Sequence, residues 1–117
     1  MKANTLTLTV NAVAKVLTRV NQDNFGSTYT LLSATDSWTL KFRNSTEVAK
    51  DKTLFGRHNV YVEYIVFATP TTVQKSYTIS TTLRMSQSSD PAYLAYISSA
   101  LSTLMTTEAP GLIGGES

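Results

Sequence analysis

The sequence predicts an α+β fold, several antiparallel strands followed by one main helix. Two observations carry this. Residues 4–86 break into short segments that alternate polar and apolar positions between turn residues, the pattern of antiparallel sheet. From about residue 90 to 107 the apolar positions change to a spacing of three and four, behind a helix-start signal. With 117 residues the chain fits a single domain, with residues 108–117 read as a tail.

Thr5 to Val10 alternates strictly, and Val13 to Val20 continues after a turn at Asn11. Asn21 to Ser27 is a turn by composition, and Tyr29 to Leu32 makes the next strand. Ser37 to Arg43 follows, with Trp38, Leu40 and Phe42 on one face and Thr39, Lys41 and Arg43 on the other. The polar, charged stretch Asn44–Gly56 reads as a loop. His58 to Thr69 is the longest apolar-rich strand; Pro70-Thr71-Thr72 turns the chain, and Gln74 to Met85 returns antiparallel. In that last strand Tyr77, Ile79, Leu83 and Met85 share one face, and Thr78, Ser80, Thr82 and Arg84 share the other.

Asp90 and Pro91 suit an N-cap and the first helical position. Leu94, Ile97, Leu101, Leu104 and Met105 follow at helical spacing and, with Tyr93 beside them, are the expected dimer interface, and Pro110-Gly111 is the expected stop. No charged residue occurs from Pro91 to Thr107, although a surface helix ordinarily carries a charged outer face. One reading is a helix with a Ser/Thr-rich solvent side. The reading adopted is a helix covered on more than one side by a second subunit, because a single helix cannot cover a sheet of five or more strands.

Composition excludes several functions. Cysteine is absent, so disulfides, thiolate metal sites and Cys nucleophiles are ruled out. No HExxH, P-loop or GxSxG string occurs, the acids are scattered, and the single histidine, His58, has no evident catalytic partner. An enzyme is not expected, nor a cofactor or a metal. No segment is long and apolar enough to span a bilayer, so no membrane partner is expected. Charged residues make up 15% of the chain, well below the usual roughly 25%. All ten Lys and Arg lie within residues 1–84, while the remainder carries only Asp90, Glu108 and Glu116. The strand-rich part is therefore the basic part.

One constellation has chemical content. Lys41, Arg43 and Arg84 alternate outward from apolar faces, and Arg57, Asn59 and Tyr61 can join them from the long strand. Fixed positive charge suits phosphates, amides and hydroxyls add polar contacts, and a tyrosine can stack an unpaired base. A solvated polar sheet face fits the same alternation, and both readings stand at this level.

The strings Lys15-Val16-Leu17, Asn21-Gln22-Asp23 and Arg57-His58-Asn59-Val60 occur in that order, with a weaker match in Leu112-Ile113-Gly114 and Glu116-Ser117. On these the chain resembles leviviral coat proteins, and most closely the branch represented by the Caulobacter RNA phage. The resemblance implies a meander of antiparallel strands with a short N-terminal hairpin and a helical C-terminus. It implies two subunits paired edge to edge into one continuous sheet, their helices interlocked over its outer face. It further implies an icosahedral shell of such dimers, made in the bacterial cytoplasm, whose inner sheet face meets single-stranded genomic RNA. Coat proteins of this family also bind an RNA hairpin and repress replicase translation. Carried onto this chain, the RNA face is Lys41, Arg43, Arg57, Asn59, Tyr61, Thr78, Ser80 and Arg84. A slip of one residue in the last strand would exchange Thr78, Ser80 and Arg84 for Lys75, Tyr77 and Thr81. The alternative is a dimeric RNA-binding or repressor module that forms no shell. Shell contacts are expected from Asp23–Ser27, Asn44–Gly56 and Thr69–Thr72.

Overall fold

The structure is a computed structural model and describes residues 3–23, 25–86 and 89–115. Asn24, in the expected turn, and Glu116-Ser117, in the expected tail, lie outside the described residues. Six strands form one sheet: β1 (Thr5–Val10), β2 (Val13–Gln22), β3 (Gly26–Leu32), β4 (Asp36–Val48), β5 (Leu54–Val66) and β6 (Lys75–Ser86). Each pairs antiparallel with the next, giving a meander in chain order. One helix follows, α1 (Pro91–Ile113). The α+β class read from the sequence is the observed one.

The turns explain the order. Asn11 and Ala12 both take positive φ (50° and 65°), the conformation of a two-residue turn whose twist matches the strands it joins. Between β2 and β3 the Asp23 carboxylate accepts from the backbone N–H groups of Phe25 (2.7 Å) and Gly26 (2.8 Å). That tightens the turn, so Asn21 and Gln22 belong to β2, and Gly26 and Ser27 to β3. Glycine is required at 26, where a Cβ would overlap the Phe42 carbonyl of the paired strand. The register of β2 on β3 shifts between Arg19 and Asn21, a bulge that adds local twist.

The expected loop Asn44–Gly56 is a correction. Pairing continues from Asn44↔His58 to Val48↔Leu54, and only residues 49–53 turn, with Lys52 at φ 65°. Its first part, Asn44–Glu47, is polar on both faces, so no apolar alternation marks it, yet its backbone ladder extends the apolar strand before it. The helix end is a second correction, since α1 runs past Thr107 to Ile113 with Pro110 inside it. A proline removes one N–H and crowds the carbonyl four residues back, but the last turn still closes through Gly114 N–H to the Pro110 carbonyl at 3.2 Å.

All core side chains lie on one face of the sheet. Leu17, Tyr29, Trp38 and Leu40 are buried, with Leu6, Leu8, Leu31, Phe42, Val60, Val62 and Tyr64 packed against them. Trp38 stacks on Tyr64 (centroids 4.0 Å apart), and Tyr64 stacks on Tyr77 (5.9 Å), an aromatic row across β4, β5 and β6. The sheet curls so that Leu8, Val10, Val13 and Lys15 of the β1–β2 hairpin face Val62, Tyr77 and Ile79 across a groove of about 850 Å³.

Helix α1 starts at Asp90, whose carboxylate accepts from Ala92 N–H at 3.0 Å. Ser102, Thr103 and Thr106 donate to carbonyls four residues back, which satisfies their hydroxyls without charge or partner. No side chain of α1 is buried, and its packing on the sheet is chiefly at β6.

Candidate functional site

Strand register decides which polar residues meet. On the face opposite the core, Lys41 is paired with Tyr61, and Arg43 with Asn59. Tyr61 is paired in turn with Ser80, Asn59 with Thr82, Arg57 with Arg84, and Glu63 with Thr78. Lys41, Arg43, Arg57, Asn59, Tyr61, Thr78, Ser80 and Arg84 therefore share one face of β4, β5 and β6. Tyr77 pairs with Tyr64 and Thr81 with Val60, on the core face, so the slipped register is not adopted.

The face is organised by hydrogen bonds between its own members. The Asn59 amide nitrogen donates to Ser80 Oγ (3.0 Å), Thr82 Oγ1 (3.1 Å) and the Thr81 carbonyl (3.2 Å), which pins the centre of the surface to β6. The Lys41 ammonium lies 5.8 Å from the centre of the Tyr61 ring. The Tyr61 hydroxyl donates to Glu63 Oε2 at 3.0 Å, and this bond holds the phenol above its ordinary pKa. Arg43 reaches Asp23 at 3.5 Å, with both side chains more than half exposed. Between these residues a shallow concavity of about 580 Å³ is lined by Thr28, Lys41, Arg43, Arg57, Asn59 and Tyr61, among others.

Two acids here were not among the residues picked from the sequence. Glu47 accepts from Arg84 Nε at 2.9 Å, and its same Oε1 lies 3.9 Å from Arg57 Nε. Glu63 stands beside Tyr61. Glu47 was hidden by the loop reading of 44–56; the parity of Lys41 and Arg43, continued through Ser45, points straight to it. Among the described residues no group of His, Asp and Glu is arranged to hold a metal ion.

The expected interface residues of α1 lie in the open. Tyr93, Ile97, Leu101, Leu104 and Met105 are each exposed, and Leu94 is half-buried. Across the sheet from the cations, the apolar groove likewise leaves Tyr77 and Ile79 exposed. The molecule is thus two-sided, with cations, tyrosine and amide on one face and an uncovered aromatic and aliphatic surface on the other.

Compared with family models, residues 3–86 match the model described as the coat protein of phage phiCb5. The chain belongs to that coat-protein family. The matched span takes in all six strands, so the coat-protein likeness coincides with the sheet that carries both surfaces. A coat protein of this family is a structural component of a phage capsid, a role that asks no catalysis of its residues. No curated protein matches. None of this coat protein's helices is long and apolar enough to cross a membrane, among the described residues.

Proposed function

We propose that this coat protein forms a homodimer, that the dimers close into an icosahedral shell, and that the face bearing Lys41, Arg43 and Tyr61 packages single-stranded RNA inside it. The observation that carries the reading is surface in excess of what one subunit needs. The chain exposes 8828 Å², against about 6,300 Å² for a compact monomer of this mass. Its radius of gyration is 17.0 Å, against about 13 Å for a compact domain of this length. The excess is of the order an obligate interface covers. It is also apolar where a dimer would need it, on α1 and in the groove beside Tyr77 and Ile79.

A dimer joined through α1 and the core face leaves the cationic face uncovered. There Lys41, Arg43, Arg57 and Arg84 can meet phosphates, Tyr61 can stack a base, and Thr78, Ser80 and Asn59 supply polar contacts. Many weak phosphate contacts repeated over every subunit suffice for packaging. Repression of replicase translation through one RNA hairpin would use the same surface. Contacts between dimers would come from the turns at Asp23–Ser27 and Thr69–Thr72 and from the tip of the β4–β5 hairpin. Assembly would take place in the bacterial host cytoplasm, and the finished protein would reside in the virion.

The test is expression of the chain alone in bacteria, followed by size-exclusion chromatography and negative-stain microscopy. Uniform spheres whose absorbance shows nucleic acid are the expected result. A dimer that binds RNA but forms no particles at any salt would replace the shell with a non-assembling RNA-binding module.

A further inference from the structure

Arg57 and Arg84 face one another directly across β5 and β6. Neighbouring strands lie about 4.8 Å apart, and like charges placed opposite each other destabilise a sheet. The arrangement needs an anion, and Glu47 of β4 supplies it through a single oxygen, 2.9 Å from Arg84 Nε and 3.9 Å from Arg57 Nε. The Arg84 guanidinium is also seated on the Phe55 ring, 3.9 Å from its centre, which restricts where the charge can go. All three charged side chains remain about two-fifths exposed, so an outside anion can reach them.

We infer that Arg57 and Arg84 form a phosphate clamp, and that Glu47 is its built-in occupant: a carboxylate that an RNA phosphate displaces on binding. The inference rests on the reading of this face as the RNA surface. It adds a residue whose negative charge weakens binding while keeping the clamp assembled. Exchange of one monoanion for another makes the site reversible, and it spares the empty subunit two opposed guanidiniums. Lys41 and Arg43 sit nearer the Asp23 end of the face, so Glu47 acts on the Arg57–Arg84 end alone.

The experiment is a cycle of E47Q, R84Q and the double variant in the 117-residue chain, freed of nucleic acid. Affinity for a single-stranded polyuridine oligomer is measured over a range of salt. E47Q is expected to bind about three- to fivefold more tightly at 0.15 M salt, the scale of one exposed ion pair. Its log affinity against log salt should steepen by about 0.7, one more phosphate engaged. That gain should vanish in the R84Q background. A gain that persists there is a net-charge effect and overturns the clamp, as does no gain in either background.

Thermal melts decide the clamp without RNA. E47Q should melt lower than the unaltered chain in low-salt buffer and regain the loss in inorganic phosphate, but not in chloride of equal ionic strength. Equal recovery in both salts, or no loss at all, overturns it. Should none of the four proteins bind RNA, the RNA-face reading fails, while the melts still decide whether Glu47 fills an anion site.

Discussion

Lys41 and Arg43 are the residues on the cationic face whose removal disturbs the fold least. Arg43 holds only a 3.5 Å contact to Asp23 between two exposed side chains, a solvent-screened pair of the kind that adds little to stability. Lys41 leans toward Tyr61 without an ion pair among those described. The double substitution of Lys41 and Arg43 by Ala is therefore expected to lower the RNA content of purified particles while the dimer stays folded. Unchanged RNA content would take these two residues off the RNA surface. Three aspartates set a different dependence. Asp23 is held below its ordinary pKa chiefly by the Phe25 N–H, Asp36 by the Ser33 hydroxyl and then Tyr64, and Asp51 by Thr53. A folded-state value below the unfolded one stabilises at pH above the unfolded value and is lost as pH falls through the folded one. Melting temperature should hold from neutrality to about pH 4 and then decline. Asp23→Asn, which keeps an accepting oxygen, should flatten part of that decline; a melting curve independent of pH down to 2 would contradict it.

At the scale of elements, α1 stands apart because its apolar stripe meets its own subunit only near its start, where Tyr93, Leu94 and Ile97 lie beside Phe55 and Met85, and Leu101, Leu104 and Met105 stay exposed. Leu101→Asp puts a carboxylate on that stripe; in a monomer the change is nearly silent, since the position is 48% exposed. Under the dimer reading the carboxylate is buried without a partner, a cost of several kcal/mol. Loss of dimers by size-exclusion or light scattering is the expected result, and a folded dimer from this variant would show that α1 is not the interface. The elements also show what was legible beforehand. Alternation located the strands where one face is apolar, as at Trp38, Leu40 and Phe42, and the Asp90-Pro91 signal located the helix start. It failed at Asn44–Glu47, where both faces are polar and only backbone pairing to β5 marks the strand. It failed again at Pro110, because a proline near the helix end costs one hydrogen bond but does not force the chain out of the helix. Glu47 was lost with the first of these errors.

For the whole molecule the decisive property is sidedness. The strands alternate so that Trp38, Leu40, Val62, Tyr64 and Ile79 fall on one side and Lys41, Arg43, Arg57 and Arg84, with Tyr61 and Phe55 beneath them, on the other, and the six-stranded meander carries this separation across β4, β5 and β6 without a break in register. The cationic side was readable from parity alone, since each residue's face follows from odd or even position once a strand is recognised. Which strands would bring Arg57 opposite Arg84 was not, because pairing depends on turn lengths at 49–53 and 67–74 that composition does not determine.

The aromatic row on the core face has a use of its own. Trp38 is the sole tryptophan of the chain, and it is buried to 7% exposure with its indole Nε1 lacking a hydrogen-bond partner among the described residues. It lies in the apolar groove and against Tyr64, so its ultraviolet emission comes from a single place, next to the surface the dimer reading covers. Subunit association can then be followed without a label: covering the groove should shift the emission to shorter wavelength as water leaves, and an acceptor brought to the indole nitrogen would change its intensity. A dilution series read at that one fluorophore, run beside light scattering, would separate pairing of subunits from closure of the particle in time.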